Sequence, residues 1–244
     1  MGLLIGSFLN VCIFRLPEGL SIVRPASRCR RCGHELAWFE NIPVVSYVVL
    51  RGRCRTCGDP ISWQYPLVET VTCAIFAAAA IQFDLSWLLL SRLVLASAMI
   101  VLFMIDLEHR ILPNGITLPG IVVGFLFSLL TEPGWVSSLI GIAVGGGVLL
   151  GVAWAYERIR HEQGLGMGDV KMLAMIGAFL GWQLMLLTLV FASLLGSVVG
   201  VGLIVSRRGD LKSALPFGTF LAVAAIVAAF VGEPIVRWYA GFYS

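Results

Sequence analysis

The sequence has few charged residues. Only 13% of its 244 residues are charged, whereas soluble domains average about 25%. Hydrophobic residues make up 59% of the chain, and its mean hydropathy is +0.93. This composition excludes a protein built around one large water-soluble core. It predicts a polytopic protein embedded in a lipid bilayer.

The sequence also predicts no cleavable signal peptide. The N-terminal apolar run has no basic flank before it and no small-residue cleavage site after it. This run, from Met1 to Phe14, is shorter than the roughly 20 residues that a spanning helix needs. Either the helix is held within a bundle or the chain starts further upstream. We expect additional residues upstream.

Eight apolar runs predict an all-α membrane protein with about eight transmembrane segments. They cover residues 1–15, 66–83, 85–105, 115–131, 135–156, 170–181, 183–206 and 214–232. Nearly all basic residues lie in four segments, which are 15–55, 110, 158–171 and 207–212. Alternating the runs puts these segments on one side, and basic loops mark the cytoplasmic side. The N-terminus is therefore predicted outside, and the arginines require no nucleic-acid partner.

The one sizeable polar region, residues 16–65, contains an internal repeat. The stretch RCRRCG at 28–33 recurs as RCRTCG at 53–58. Each copy is a C-x-x-C-G knuckle, in which two thiolates can chelate one metal ion and the glycine permits a positive φ. The two knuckles give a closed set of four cysteines, which is the pattern of a structural zinc site. The predicted ligands are Cys29, Cys32, Cys54 and Cys57.

Other roles for these cysteines are less favoured. Disulfides are disfavoured in a cytoplasmic loop, and redox catalysis would be expected in a βαβ context. An iron centre could use the same four thiolates. His34 adjoins the first knuckle but is interpreted as a loop residue, because four cysteines already complete a tetrahedron. Cys12 and Cys73 lie in apolar runs and are interpreted as small hydrophobic residues.

Two aspartates stand at the edges of apolar runs. Asp106 closes the third run, and Asp169 follows the glycine-rich stretch 164–168. Alternatively, Asp106 is an interfacial charge and Asp169 a helix N-cap, but neither explains the glycines. Ionisable groups at membrane depth are usually functional, and two adjacent carboxylates can share a proton and activate water. We predict that Asp106 and Asp169 form an aspartic-protease pair.

Other residues in the apolar runs are expected to be structural. Glycines at four-residue spacing in the fifth and seventh runs predict close helix packing. Arg92 lies a few residues inside the third run. We expect its side chain to extend to the outer membrane interface, with a structural ion pair as the alternative.

Several of these motifs resemble one known family. GMGD at 166–169 matches the G-x-G-D motif of intramembrane aspartyl proteases, and the longer GMGDVKMLA at 166–174 resembles the prepilin peptidases. The two knuckles also resemble that family. So do four further stretches, GSFLNVCIFRLP (6–17), NIPVVS (41–46), YPLVE (65–69) and LPFG (215–218). The motifs stand in the family's order from residue 2 to about 220.

The resemblance implies a bifunctional enzyme of type IV pili or type II secretion in the bacterial inner membrane. Such enzymes cut the leader from prepilins or pseudopilins on the cytoplasmic side, and many then methylate the new N-terminus with S-adenosylmethionine. Carried over by position, Asp106 and Asp169 are the catalytic pair. The cysteine loop belongs to the part associated with methylation and metal. The sequence shows no recognisable motif for S-adenosylmethionine, so that cofactor rests on the resemblance alone.

We accordingly expect three regions. Residues 1–16 are the first membrane segment, 17–65 the four-cysteine domain and 66–244 the membrane-embedded protease domain. Two rival functions remain, namely a proton-coupled transporter that uses the aspartates as relay sites, and a non-enzymatic scaffold that uses the zinc loop to bind partners. The near absence of charge inside the apolar runs disfavours a transporter.

Overall fold

In a computed structural model, the chain is mostly α-helical. The structure describes residues 1–24, 26–160, 166–206 and 215–242. The helices are α1 (Gly2–Arg15), α2 (Val45–Val49), α3 (Gln64–Gln82), α4 (Trp87–His109), α5 (Asn114–Ser128), α6 (Trp135–Arg160), α7 (Met167–Val205) and α8 (Phe217–Ala240), with one 3₁₀ turn at Trp38–Asn41. Within the described ranges, β-pairing is confined to two isolated bridges. The predicted all-α fold is confirmed.

The lengths of the helices agree with a multi-pass membrane protein. Among the described residues, five helices are long and apolar enough to cross a membrane, namely α3, α4, α6, α7 and α8. The helices α1 and α5 are apolar but shorter. A break inside α7 at Gly181 divides that helix in two. Eight apolar segments result, as the sequence predicted.

The chain folds as two compact units, which we call the N-terminal unit (Met1–Asp84) and the C-terminal unit (Leu85–Ser244). In the N-terminal unit, α1 packs closely against α3. A Cβ built on Gly2 or Gly6 would lie 2.6 Å from the Cα of Cys73 or Glu69, respectively. Gly2 and Gly6 are four residues apart on α1, as Glu69 and Cys73 are on α3. Only glycine at these positions of α1 lets the two backbones approach this closely.

In the C-terminal unit, the first half of α7 forms the centre of the core. Residues 172–180 are all buried, and α7 packs against α5, α6 and α8. At the contact with α6, a Cβ on Gly141 would lie 2.5 Å from the carbonyl oxygen of Gly177. The packing role predicted for glycines of the fifth run is therefore confirmed at Gly141.

At Gly181 the chain reverses its direction across the unit. Gly181 has a φ of 75°, which glycine adopts without strain. After the break, the side chain of Leu184 lies against Gly232 near the end of α8, whereas Gly196 faces Phe220 near its start. The second half of α7 therefore runs antiparallel to α8. The predicted boundary between the sixth and seventh segments corresponds to this reversal.

Arg92 is buried in the C-terminal unit, beside acidic side chains. Only 4% of its surface is exposed. Its side chain lines a cavity of about 280 Å³ together with Glu132 and Glu233, and both carboxylates attract it electrostatically. Acidic groups from two other segments of the C-terminal unit therefore accompany the buried charge.

Candidate active site and metal centre

Asp106 is held by the first turn of another helix. It lies in the last turn of α4 and is buried, with 5% of its surface exposed. Its Oδ2 accepts a hydrogen bond of 2.7 Å from the backbone N–H of Thr219 and another of 3.0 Å from the Thr219 hydroxyl. Thr219 belongs to α8, so this carboxylate links the end of α4 to the beginning of α8.

Asp169 lies in the first turn of α7 and is also buried, with 9% of its surface exposed. Gly166 occupies the N-cap position, and its carbonyl accepts a hydrogen bond of 3.1 Å from the N–H of Asp169. Asp169 is therefore inside the helix, and the alternative that it is the N-cap was wrong. Of the glycines singled out in the sequence, Gly164 lies outside the described residues.

The structure brings the two aspartates to the same end of the C-terminal unit. Leu112, between α4 and α5, contacts both Gly168 and Gly218, because a Cβ on these glycines would lie 2.8 and 3.0 Å from its atoms. The same Cβ on Gly218 would lie 3.0 Å from Oδ2 of Asp106. Asp106 and Asp169 are close enough to interact electrostatically. Two buried carboxylates in this arrangement can share a proton and act on water.

A polar contact at the start of α7 and α5 was not predicted. The Nζ of Lys171 donates a hydrogen bond of 2.8 Å to Oδ1 of Asn114. Thr219 and Leu112 were also missed as site residues. The only sequence signal for Thr219 was its position directly after the LPFG stretch at 215–218.

The four knuckle cysteines form one cluster in the N-terminal unit. Their Sγ atoms all lie within 4.8 Å of one another, and the Sγ atoms of Cys29 and Cys57 are 3.8 Å apart. With Zn–S bonds of about 2.3 Å, the sulfurs of a tetrahedral site lie about 3.8 Å apart. The donor set and its spacing therefore fit a four-coordinate metal ion. His34 is not part of the cluster; its Nε2 lies 3.3 Å from Oε2 of Glu40.

The sequence repeat is also a repeat of backbone geometry. In the first knuckle, the N–H of Cys29 donates a hydrogen bond of 2.9 Å to the backbone carbonyl of His34. The N–H of Gly33 donates one of 3.0 Å to the backbone carbonyl of Cys29. The second knuckle repeats both hydrogen bonds. The N–H of Cys54 donates to the backbone carbonyl of Asp59 at 2.8 Å, and the N–H of Gly58 donates to that of Cys54 at 2.9 Å. The two glycines have φ values of 72° and 71°. Each knuckle therefore needs its glycine to present the two thiols on one side.

Hydrogen bonds and the neighbouring thiols shift the pKa values of the cluster cysteines in opposite directions. The backbone amides of Cys32 and then Arg31 lower the pKa of Cys29 to about 6. The amide of Asp59 lowers the pKa of Cys57, but burial and the neighbouring thiols outweigh it and raise that pKa to about 12. Negative charge on one sulfur thus opposes charge on the next. A divalent cation would relieve this repulsion.

Three of the stretches that carried the family resemblance contact one another in the N-terminal unit. The Nδ2 of Asn10, in α1, donates a hydrogen bond of 3.1 Å to the backbone carbonyl of Tyr65. Oε2 of Glu69 accepts a bond of 2.7 Å from the N–H of Val44. Val44 has a φ of 61°, which is rare for a β-branched residue. The buried carboxylate of Glu69 therefore helps to hold this strained turn against α3.

A helical membrane unit with two buried aspartates at one end has the arrangement of a polytopic aspartic peptidase. The comparison with family models then gives the particular family. Residues 93–201 match the type IV leader peptidase family, and residues 1–83 match the bacterial peptidase A24 N-terminal domain. The chain belongs to the type IV leader peptidase family.

Similar curated proteins bear the name prepilin leader peptidase/N-methyltransferase. The one from Aeromonas hydrophila is 39% identical, over 97% of this chain and 90% of that protein. The one from Pseudomonas aeruginosa is 35% identical, over 99% of this chain and 92% of that protein. The Myxococcus xanthus protein is 45% identical, over 82% of this chain and 60% of its own length. Solved structures give no significant match.

Proposed function

We propose that this protein removes the leader peptide from prepilins or pseudopilins and then methylates the new N-terminal amine. Its family and the names of its relatives support both activities. The observation that carries the proteolytic half is the convergence of Asp106 and Asp169, both buried, at one end of the C-terminal unit. One aspartate acts as a base on water, and the other, protonated, polarises the scissile carbonyl.

The proposed orientation puts this end of the unit in the cytoplasm, at the inner face of the bacterial inner membrane. Two basic residues, Arg110 after α4 and Lys171 near the start of α7, support it because basic residues mark the cytoplasmic side. The apolar helix of the substrate would lie among the membrane segments. Its basic leader would remain in the cytoplasm, so the scissile bond would reach the depth of the aspartates.

We assign a structural zinc ion to the cysteine cluster. Cys29, Cys32, Cys54 and Cys57 would hold it, and their spacing fits its tetrahedral geometry. When bound, zinc supplies a crosslink between the two knuckles. Neither aspartate belongs to this cluster, and the proposed hydrolytic step uses only the two carboxyls and water.

The methylating half rests on the relatives, whose names include N-methyltransferase. S-adenosylmethionine is the proposed methyl donor, and the nucleophile is the amine released by cleavage. We associate this activity with the region of the cysteine knuckles.

Mass spectrometry of the substrate tests the proposal directly. Purified protein in detergent is incubated with a prepilin, with and without S-adenosylmethionine. We expect a mass loss equal to the leader in both samples and one added methyl group only where the methyl donor is present. An unchanged substrate mass would favour a transporter or a scaffold. Cleavage without methylation, under conditions in which a related enzyme methylates the cleaved substrate, would contradict only the second activity.

A further inference from the structure

The hydroxyl of Thr219 differs from those of other buried threonines in its bonding partner. In Thr72 and Thr188 the hydroxyl donates to the carbonyl four residues earlier in its own helix, at 2.7 and 2.8 Å. This is the usual local partner of a helical threonine. Thr219 instead donates to Oδ2 of Asp106 on another helix. Its hydroxyl therefore acts on a candidate catalytic group.

The backbone of Thr219 acts on the same atom. Thr219 is the third residue of α8, whose N-cap residue, Pro216, gives no side-chain cap. The first N–H groups of a helix lack partners within it, and Oδ2 of Asp106 accepts the one from Thr219. The carboxylate thus caps α8 from a distance, and the positive end of the helix dipole faces its negative charge.

The two bonds divide the roles of the oxygens of Asp106. In the described part of the chain, both hydrogen bonds to this carboxyl end on Oδ2. Because Oδ2 already accepts hydrogen bonds from two donors, it favours the ionised carboxylate and is not the oxygen that carries a proton. Oδ1 is left for water or substrate. Gly218 lets the start of α8 approach this carboxyl closely, because a Cβ there would lie 3.0 Å from Oδ2.

We propose that Thr219 is a positioning residue, which holds Asp106 as the carboxylate base and leaves the role of acid to Asp169. The assignment rests on the proposed dyad. Arg110, at the end of α4, acts electrostatically on Asp106, whereas Lys171, two residues after Asp169, is bonded to Asn114.

The hydrolytic step then has a defined direction. Oδ1 of Asp106 takes a proton from water as the water oxygen bonds to the scissile carbonyl carbon, and Asp169 gives its proton to the carbonyl oxygen. In the second half, Asp106 passes its proton to the leaving nitrogen as the C–N bond breaks. One hydroxyl of the gem-diol returns a proton to Asp169. Both carboxyls end as they began, and water has been added across the peptide bond.

Variants at Thr219 test the positioning role by steady-state kinetics on a prepilin. Thr219→Val removes the hydroxyl at nearly constant volume, and we expect kcat to fall about tenfold or more with KM within twofold. Thr219→Ser restores the hydroxyl and should recover most of that rate. Thr188→Val is the matched control, because it removes a buried hydroxyl bonded within its own helix, and it should stay within twofold of wild type.

A wild-type kcat in Thr219→Val would overturn the positioning role, as would a Ser variant no better than the Val variant. If Thr219→Val fails to fold, the Thr219→Ser and Thr219→Ala pair isolates the hydroxyl, and equal rates in that pair would count against the inference. Full activity in Asp106→Asn or Asp169→Asn would instead reject the dyad itself. The two failures are thus distinguishable.

Infrared spectroscopy tests the division of roles. Near neutral pH, the absorption of a protonated carboxyl should disappear in Asp169→Asn and persist in Asp106→Asn. Loss of that band in Asp106→Asn alone would reverse the assignment and overturn this part of the proposal.

Discussion

The two units assemble their polar sites over very different distances along the chain. In the N-terminal unit, the outermost cluster cysteines, Cys29 and Cys57, are 28 residues apart. In the C-terminal unit, Asp106 is bonded to a threonine 113 residues away. The first site depends on two local turns of the same design. The second depends on the packing of α4, α7 and α8, and therefore on the fold of the whole unit.

This difference predicts how each site fails. A cluster made from local turns loses its order when one ligand is removed, while helices elsewhere keep their packing. A pair of carboxylates held by helix ends can lose its chemistry while the fold survives. The following predictions test this contrast, from the largest expected effect to the smallest.

Replacing either aspartate by asparagine should have the largest effect. In Asp106→Asn and Asp169→Asn, cleavage should fall by about a hundredfold to ten-thousandfold, because each loses a proton-transfer group. The amount of protein in the membrane and its metal content should not change. Glu108→Gln is the matched control, since it alters an exposed carboxyl on the same helix as Asp106. Normal processing by either aspartate variant, measured by mass spectrometry, would reject the dyad.

Replacing one cluster cysteine should disrupt the N-terminal unit. In Cys29→Ser or Cys54→Ser, the purified protein should lose zinc and residues 17–65 should become sensitive to proteolysis. The reason is that metal binding contributes on the order of 10 kcal/mol to the folding of small zinc sites. Methylation should fall more than cleavage. Cys73→Ser is the control, because Cys73 lies in α3 outside the cluster, and it should retain zinc.

Elemental analysis decides the metal prediction. Wild-type protein without tightly bound zinc or iron would refute it. Loss of cleavage in a folded cysteine variant would show that the two units depend on each other for activity, which contradicts the separation we propose.

A single methyl group between α6 and α7 should destabilise the C-terminal unit. Gly177→Ala puts a Cβ against the backbone of Gly141, and overpacking of this kind costs about 1–3 kcal/mol. Gly147→Ala is the control, because a Cβ there meets no atom within 4 Å. Thermal unfolding in detergent should give a lower Tm for the first variant only. Equal Tm values would argue against the close approach of the two backbones.

The exposed ion pair between the knuckles should contribute least. Nη1 of Arg31 lies 2.7 Å from Oδ1 of Asp59, but the Arg31 side chain is 75% exposed, and such pairs are weakened by solvent. We expect Arg31→Gln to leave zinc content and Tm unchanged within error, as should Asp59→Asn. A loss of zinc in Arg31→Gln would make this arginine part of the metal site.

Features with a short repeat or a local signal could be predicted from the sequence. The apolar runs gave the helices and the reversal near Gly181, and the C-x-x-C-G repeat gave a cluster whose four thiols do meet. The pairing of the aspartates was predicted from their positions at the edges of apolar runs and from the family resemblance, because composition does not say which helix ends adjoin. The catalytic role of the aspartates and the metal itself stay predictions.

The features that were missed all depend on contacts between distant helices. Thr219 is an ordinary residue of an apolar run until α8 is placed beside α4. The burial of Arg92 was missed for the same reason, since Glu132 and Glu233 come from other segments and line a cavity with it. Helix periodicity gives the buried face of a segment but not its neighbours or its depth in the bundle.

The reversal at Gly181 has a consequence for the bilayer itself. It ends the first half of α7 after residues 167–180, which span only about 20 Å, and its neighbour α5 has 15 residues and spans about 22 Å. The hydrocarbon layer of a typical membrane is about 30 Å thick. The first half of α7 is enclosed by protein, so the bilayer has to thin beside α5, which has exposed apolar side chains. The depth at which Asp169 meets water is therefore set partly by the acyl chains of the host membrane.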